Sequence, residues 1–228
     1  MISIACLTGK SDSHLVALSG SHRLQAEAAS AFLAMQHAAR LDGFNLQPAS
    51  SFRDFERQRH IWNGKFNGTR PLLDENSQPI DALSLAEGAR CEAILRWSAL
   101  PGASRHHWGC DLDVYDPDRL PADTSLQLEQ WEYQAGGYFA GLSKWLTRHM
   151  AGFGFYRPFD QDNAGVAIEP WHLSYAPLAQ VAQSLLTPEC ILQAWQGEEI
   201  AGKPWLQAHL PHVFERFIMM GNAPSPAQ

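Results

Sequence analysis

Between Ser21 and Arg40, the residues Leu24, Ala28, Ala31, Phe32, Met35, Ala38 and Ala39 recur at three- and four-residue steps. That spacing predicts one amphipathic helix, capped at Ser19 or Ser21 and stopped before Gly43. Phe44, Asn45 and Leu46 then alternate as a short strand. Asp54 or Ser51 is placed to cap a second helix that turns Phe55, Trp62 and Phe66 inward and closes between Gly64 and Gly68. Residues 67–81 are rich in turn formers and read as a loop. A third helix is predicted from about Leu83 to Trp97, ended by Pro101 and Gly102.

The period changes at Cys110. From there to Tyr115 polar and apolar residues alternate, so Asp111, Asp113 and Tyr115 share one face of a predicted strand and Cys110, Leu112 and Val114 the other. The pattern reads as a half-buried strand with its carboxylates on the wet side. Helical spacing returns between about Leu126 and Met150, broken at Gly136 and Gly137. Gly152–Phe155 and Gly165–Ile168 read as further strands. Beyond Pro177 the chain is predicted helical, punctuated by Pro188, Pro204 and Pro211, with Ala223 to Gln228 as a frayed tail. Strands interleaved irregularly with helices predict an α+β fold. The 228 residues fit one domain, with a core of about 21–186 and a helical extension of about 187–221.

Charge narrows the function. A formal net charge of -7 with only 17 Lys and Arg opposes binding to DNA or RNA, which needs a concentrated basic surface. An acidic substrate would have to be held by individually placed arginines inside a site. No apolar stretch reaches membrane-spanning length, and Met1 to Lys10 lacks the basic start of an export signal. Cys6, Cys91, Cys110 and Cys190 are far apart and read as free buried thiols.

The densest polar constellation is Ser104-Arg-His-His-Trp-Gly-Cys-Asp-Leu-Asp113, followed 56 residues later by Glu169-Pro-Trp-His172. A catalytic zinc site needs three nitrogen or oxygen ligands, an open position for water and a carboxylate that takes that water's proton. His106, Asp113 and His172 supply such a ligand set, and Glu169 the base. Pro170, between Glu169 and His172, places that segment in extended or bent backbone rather than a helix interior.

Ser104-x-His106-x-x-Gly109-x-x-x-Asp113, with Glu169-x-Trp171-His172 downstream and Ser50-Ser-Phe-Arg53 plus Gln58 upstream, resembles the motif set of the D-alanyl-D-alanine carboxypeptidase family, the VanY-like and related LAS peptidases. The resemblance covers roughly residues 45 to 178. It implies a small, mostly antiparallel sheet carrying the metal site between helices, the LAS or hedgehog-like fold. It also implies Zn2+ bound by His106, Asp113 and His172, Glu169 as general base and then acid, and Arg53 holding substrate oxygen. Ser104, Gln58 and Trp171 are expected at the substrate.

Peptidoglycan stem peptides are the implied substrate, with removal of a terminal D-Ala by DD- or LD-carboxypeptidase action the leading reading. An endopeptidase, a D-Ala-D-Ala dipeptidase and a non-catalytic zinc-stabilised module are its rivals. The chain departs from the family pattern at Asp111, where a small residue is usual, and at Leu173-Ser174, where Trp-Arg is frequent. Asp111 is expected at the solvent or behind the ligands. The missing arginine is expected to remove one anchor for a substrate carboxylate.

Overall fold

The computed structural model describes residues 2–75 and 77–219. The tail from Ala223 to Gln228 lies outside them. A single-turn helix α1 (Ile4–Leu7) leads to a hairpin of β1 (Val16–Ala17) and β2 (Arg23–Leu24). Helix α2 (Ala26–Leu41) therefore starts later than the apolar spacing predicts, because Arg23 and Leu24 are engaged in β2. Neither Ser19 nor Ser21 caps it. Gln25 occupies the cap position, donates its backbone N–H to Gly109 O at 2.7 Å and its side-chain amide to Trp108 O at 2.7 Å. The start of α2 is thereby tied to the turn that carries His106.

Strand β3 (Gln47–Ser50) lies just beyond the predicted Phe44–Leu46 and contains Pro48, which an edge strand tolerates. Helix α3 (Phe55–Phe66) is capped by Asp54, whose carboxylate accepts from Arg57 N at 2.7 Å, and it buries Phe55 and Trp62 as the pattern predicts. The predicted loop holds a small hairpin, β4 (Leu72–Leu73) and β5 (Pro79–Ile80). The third helix is shorter than predicted. Asp81 caps a separate turn at Ala82–Ser84, and α4 runs only from Glu87 to Leu95.

Strand β6 (Asp111–Tyr115) follows, then short helices α5 (Gln130–Tyr133) and α6 (Ala140–His149). They are separated where Gly136 has φ +92 and where a Cβ on Gly137 would stand 2.0 Å from Trp131 O. Strands β7 (Phe155–Tyr156) and β8 (His172–Tyr175) complete an antiparallel sheet in the order β3-β6-β8-β7. Gly165–Ile168 is not a strand: it crosses as a loop, with Ala167 N donating to Arg96 O at 2.9 Å.

The chain then runs through α7 (Ala176–Leu185), α8 (Pro188–Ala194), α9 (Lys203–Val213) and a π turn at Phe214–Ile218. Pro188 and Pro204 sit in first turns, where a missing N–H costs nothing, whereas Pro211 lies inside α9. Trp62 donates its indole N–H to Ala201 O and Trp195 donates to Pro101 O, anchoring the C-terminal helices to the site-bearing half. All four cysteines are buried and unpaired. No helix of the described residues is long and apolar enough to cross a membrane.

Placing β6 between β3 and β8 overturns the half-wet strand. Asp111 is fully buried and Asp113 nearly so. Both carboxylates of this strand face the interior, and each needs a partner there.

Candidate metal centre

The sheet register assembles the site. Asp113 on β6 pairs with Ser50 on β3 and with His172 on β8, so the edge of β3 that leads to Arg53 and the start of β8 meet at one carboxylate. His106 arrives from a 3-10 turn, Arg105–Trp108, closed by Gly109 at φ +69. That left-handed backbone favours glycine, and a Cβ there would stand 2.2 Å from the Leu15 side chain.

His106 Nε2 lies 3.3 Å from one oxygen of Asp113, and His172 Nδ1 lies 3.4 Å from the other. One donor atom from each of the three residues falls within 4.8 Å of the others. Glu169 Oε2 stands 3.2 Å from His172 Nδ1. The free nitrogens are selected by bonds on their far sides: His106 Nδ1 meets Ser51 O at 2.9 Å, and His172 Nε2 meets Asp111 Oδ2 at 2.8 Å. Asp113 Oδ1 is buried with no hydrogen-bond partner. Two imidazole nitrogens and an orphaned carboxylate oxygen converging on one point fit a zinc-type divalent ion with an open position.

The local charges point the same way. Burial works against a charged His172, yet Asp111, Glu169 and Asp113 together hold its pKa up at about 10. Burial likewise opposes the Asp113 carboxylate, but His106, His172 and Arg53 bring its pKa down to about 2. Carboxylates gathered this closely around an imidazole supply the charge that a divalent cation answers.

Asp111 is neither at the solvent nor aimed at the metal position. Its Oδ2 accepts from Arg105 Nε at 2.7 Å as well as from His172, and its Oδ1 accepts from Ser174 Oγ at 2.8 Å. Arg105 also donates to Tyr156 Oη at 2.9 Å and Ser174 Oγ at 2.8 Å. Burial opposes the Asp111 charge, and Arg105 with His172 overcomes it, holding the carboxyl well below its ordinary range. Ser174 therefore belongs to this buried network behind His172, so the residue at that position does not face the substrate as expected. Alternation along β6 marks Asp111, and of its two expected places the structure gives the one behind the ligands, but no sequence signal marks Arg105 or Tyr156.

A cavity of about 330 Å³ opens onto the ligands, and Arg53, Ser104, Trp171 and Glu169 line it. Arg53 donates to Gln58 Oε1 at 2.8 Å while its Nε is buried and unpartnered. Gln58 itself is fully buried, absent from the cavity wall and anchored to Ala99 O at 2.7 Å. It bonds Arg53 from behind the cavity wall, whereas the sequence places it at the substrate. Ser104 makes no capping bond and lines the cavity. Trp171 both walls the cavity and packs on Tyr133, ring centroids 5.6 Å apart. His107, next to His106, is a brace: its Nδ1 meets Arg53 O at 2.6 Å and its Nε2 accepts from Gly102 N at 3.1 Å. The cavity also gathers residues no motif marked, among them Lys65, Arg70, Phe159, Phe217 and Ile218.

Hydrolysis assisted by a single metal ion is the chemistry for which three convergent ligands and an adjacent free carboxylate are arranged. The family model for VanY, D-alanyl-D-alanine carboxypeptidase, matches residues 21–178. The chain belongs to this family. An uncharacterized protein of Haemophilus influenzae is 48% identical over 122 residues, 53% of this chain and 93% of that one. A D-alanyl-D-alanine carboxypeptidase of Enterococcus faecalis is 26% identical over 167 residues, 72% of this chain and 52% of its own. Among solved structures, VanYB in complex with D-alanine-D-alanine superposes with a TM-score of 0.54 at 21% identity, covering 86% of this chain and 90% of its own. A VanY D,D-pentapeptidase in complex with Zn(II) gives 0.53 at 23%, with the same coverage. The LdcB LD-carboxypeptidase gives 0.54 at 19%, covering 85% and 82%. These likenesses establish the shared fold, a small antiparallel sheet between helices.

Proposed function

We propose that this chain is a zinc-dependent carboxypeptidase that removes the terminal D-amino acid from peptidoglycan stem peptides. The observation that carries the reading is the convergence of His106 Nε2, His172 Nδ1 and Asp113 with Glu169 beside them at one cavity. Zinc held by those three residues supplies a Lewis acid and a more acidic water. Glu169, a carboxylate beside the ligands, accepts the proton released on attack and returns it to the leaving amine. Arg53 presents a charge-assisted donor toward the oxygen that gains negative charge, and Gln58 fixes its direction. Ser104 and Trp171 bound the substrate.

Membership of the family supports the substrate class, as do the relatives described with D-alanine-D-alanine and as an LD-carboxypeptidase. A closed structural zinc site completed by Asp111 is disfavoured because that carboxylate is spent on Arg105, Ser174 and the far nitrogen of His172. The test is release of D-alanine from a muropeptide pentapeptide by the zinc-loaded protein, with Glu169→Ala as the control. Turnover by wild type, with loss of turnover but not of zinc in the variant, is the expected result. Bound zinc without product from pentapeptide, tetrapeptide or cross-linked dimer would sink it.

A further inference from the structure

The cavity carries two cations that neither the motifs nor the metal chemistry uses. Lys65 stands in the last turn of α3, and Arg70 in the loop that folds back over that turn, its N–H donating to Gly64 O at 3.0 Å. Gly64 makes room for it, since a Cβ there would stand 2.9 Å from Arg70 Cδ. Both residues line the cavity together with Arg53, and the charge of Glu169 reaches Lys65. Several other buried or half-buried cations are ion-paired: Arg105 with Asp111, Arg96 with Asp162, Lys10 with Glu198. No hydrogen bond or ion pair to a described residue engages the Lys65 or Arg70 side chain.

Two like charges brought together without an acceptor are costly unless an anion completes them. Burial lowers the Lys65 ammonium to about 8, with Glu169 offsetting part of the effect and Arg53 and Arg70 adding to it. The remaining wall includes apolar Ile61, Leu95 and Trp97, and its carboxylates, Asp113 and Glu169, belong to the metal centre. An anion bound here must therefore come with the ligand.

We propose that Lys65 and Arg70 form a carboxylate-binding subsite for the peptide. The inference rests on the carboxypeptidase reading for the identity of the ligand. A peptide cleaved at its last bond carries the leaving residue's carboxylate within a few ångströms of the scissile carbonyl, in the cavity that Lys65 and Arg70 line with Glu169. Capture of that carboxylate restricts cleavage to chain ends. A side-chain carboxylate of the stem peptide has the same chemistry and is the other source.

The test is calorimetric binding to zinc-loaded Glu169→Ala, which holds peptide without turnover. Three forms of one stem pentapeptide are compared: the free acid, the C-terminal amide and the form amidated at its side-chain carboxylate. The C-terminal amide is expected to bind about tenfold more weakly than the free acid, the loss of a charge-assisted contact. Adding Lys65→Met or Arg70→Gln should abolish that discrimination, and Lys65→Arg should keep most of it. Discrimination confined to the side-chain amide, and lost in the same variants, would support the subsite and assign it to the second source. Equal binding of all three forms, discrimination that survives both variants, or no binding of the free acid would overturn it. Wild-type cleavage is assayed separately. Carboxylate discrimination without D-alanine release would overturn the proposed reaction while leaving the subsite standing.

Discussion

Asp111 Oδ2 lies 2.8 Å from His172 Nε2, on the side of the ring away from the metal position, and the same oxygen accepts from Arg105 Nε at 2.7 Å. One carboxylate thus fixes which nitrogen of a ligand is free and ties the ligand to a buried arginine. Partners of this kind typically change metal affinity by about 10–100-fold when removed. Asp111→Asn keeps the size and one acceptor while removing the charge, and is expected to weaken zinc binding by about that factor in competition with a chelator. Asp111→Ala also strands Arg105 and should destabilise the fold by roughly 3–5 kcal/mol, read by denaturant titration. Unchanged zinc affinity in Asp111→Asn would show that the contact does not position His172.

The sequence exposes the ligands but not their support. His106, Asp113, Glu169 and His172 stand out because they come in two short segments dense in side chains that can hold a metal or a proton. Alternation found β6, and Asp54 marked the start of α3. Alternation misjudged which side of β6 is wet, because a two-residue period reports two faces and says nothing of what covers them. Only the sheet order, with β6 inside, and the approach of Arg105 from the preceding turn explain how Asp111 is buried with its charge. Gly165–Ile168 has strand-like composition, but its bonding to Arg96 comes from a distant part of the chain that local pattern cannot see. Lys65 and Arg70 were equally invisible, since their common cavity depends on the loop folding back over Gly64.

Gln58 bonds Arg53 from behind the cavity wall. Gln58→Leu removes the bond to the guanidinium and leaves Ala99 O without its donor. A hydrogen bond to a charged group contributes about 1.5–3 kcal/mol, so turnover should fall by roughly 10–100-fold if Arg53 loses its direction. Zinc affinity should not move, because Gln58 touches no ligand. Steady-state kinetics beside a zinc titration separates the two. An unaltered kcat and KM would mean that Arg53 is held well enough without it.

His107 gives the fold an acid-sensitive brace. Burial first, then Arg53 and His106, lowers its pKa to about 3, against which its bond to Arg53 O works only in part. The unfolded chain takes up a proton near the ordinary histidine value of about 6.5, whereas the folded chain resists until about pH 3. The contribution of His107 is therefore complete above about pH 6.5 and is lost as pH falls toward 3. His107→Gln can still donate and accept but does not titrate. The stability difference between wild type and this variant should shift against wild type by a few kcal/mol between pH 6.5 and 4, measured by urea unfolding at each pH. A difference independent of pH would remove His107 as the source.

Lys65 should cost the fold stability at neutral pH. Its ammonium titrates at about 8 in the folded chain, because burial outweighs the attraction of Glu169, and near its ordinary 10.5 when unfolded. Between those values the unfolded chain binds more protons, so stability rises with pH across the window and is lowest, as far as this group is concerned, below it. Lys65→Met removes the buried charge and keeps the stem's apolar packing. The variant is expected to be more stable than wild type by roughly 1–2 kcal/mol at pH 7, a figure reduced for the partial exposure of the side chain. The gain should fade as pH approaches 10.5. A stable but carboxylate-blind variant would be the pattern of a group kept for binding rather than folding. A variant less stable than wild type at pH 7 would mean that the ammonium already has its anion within the protein.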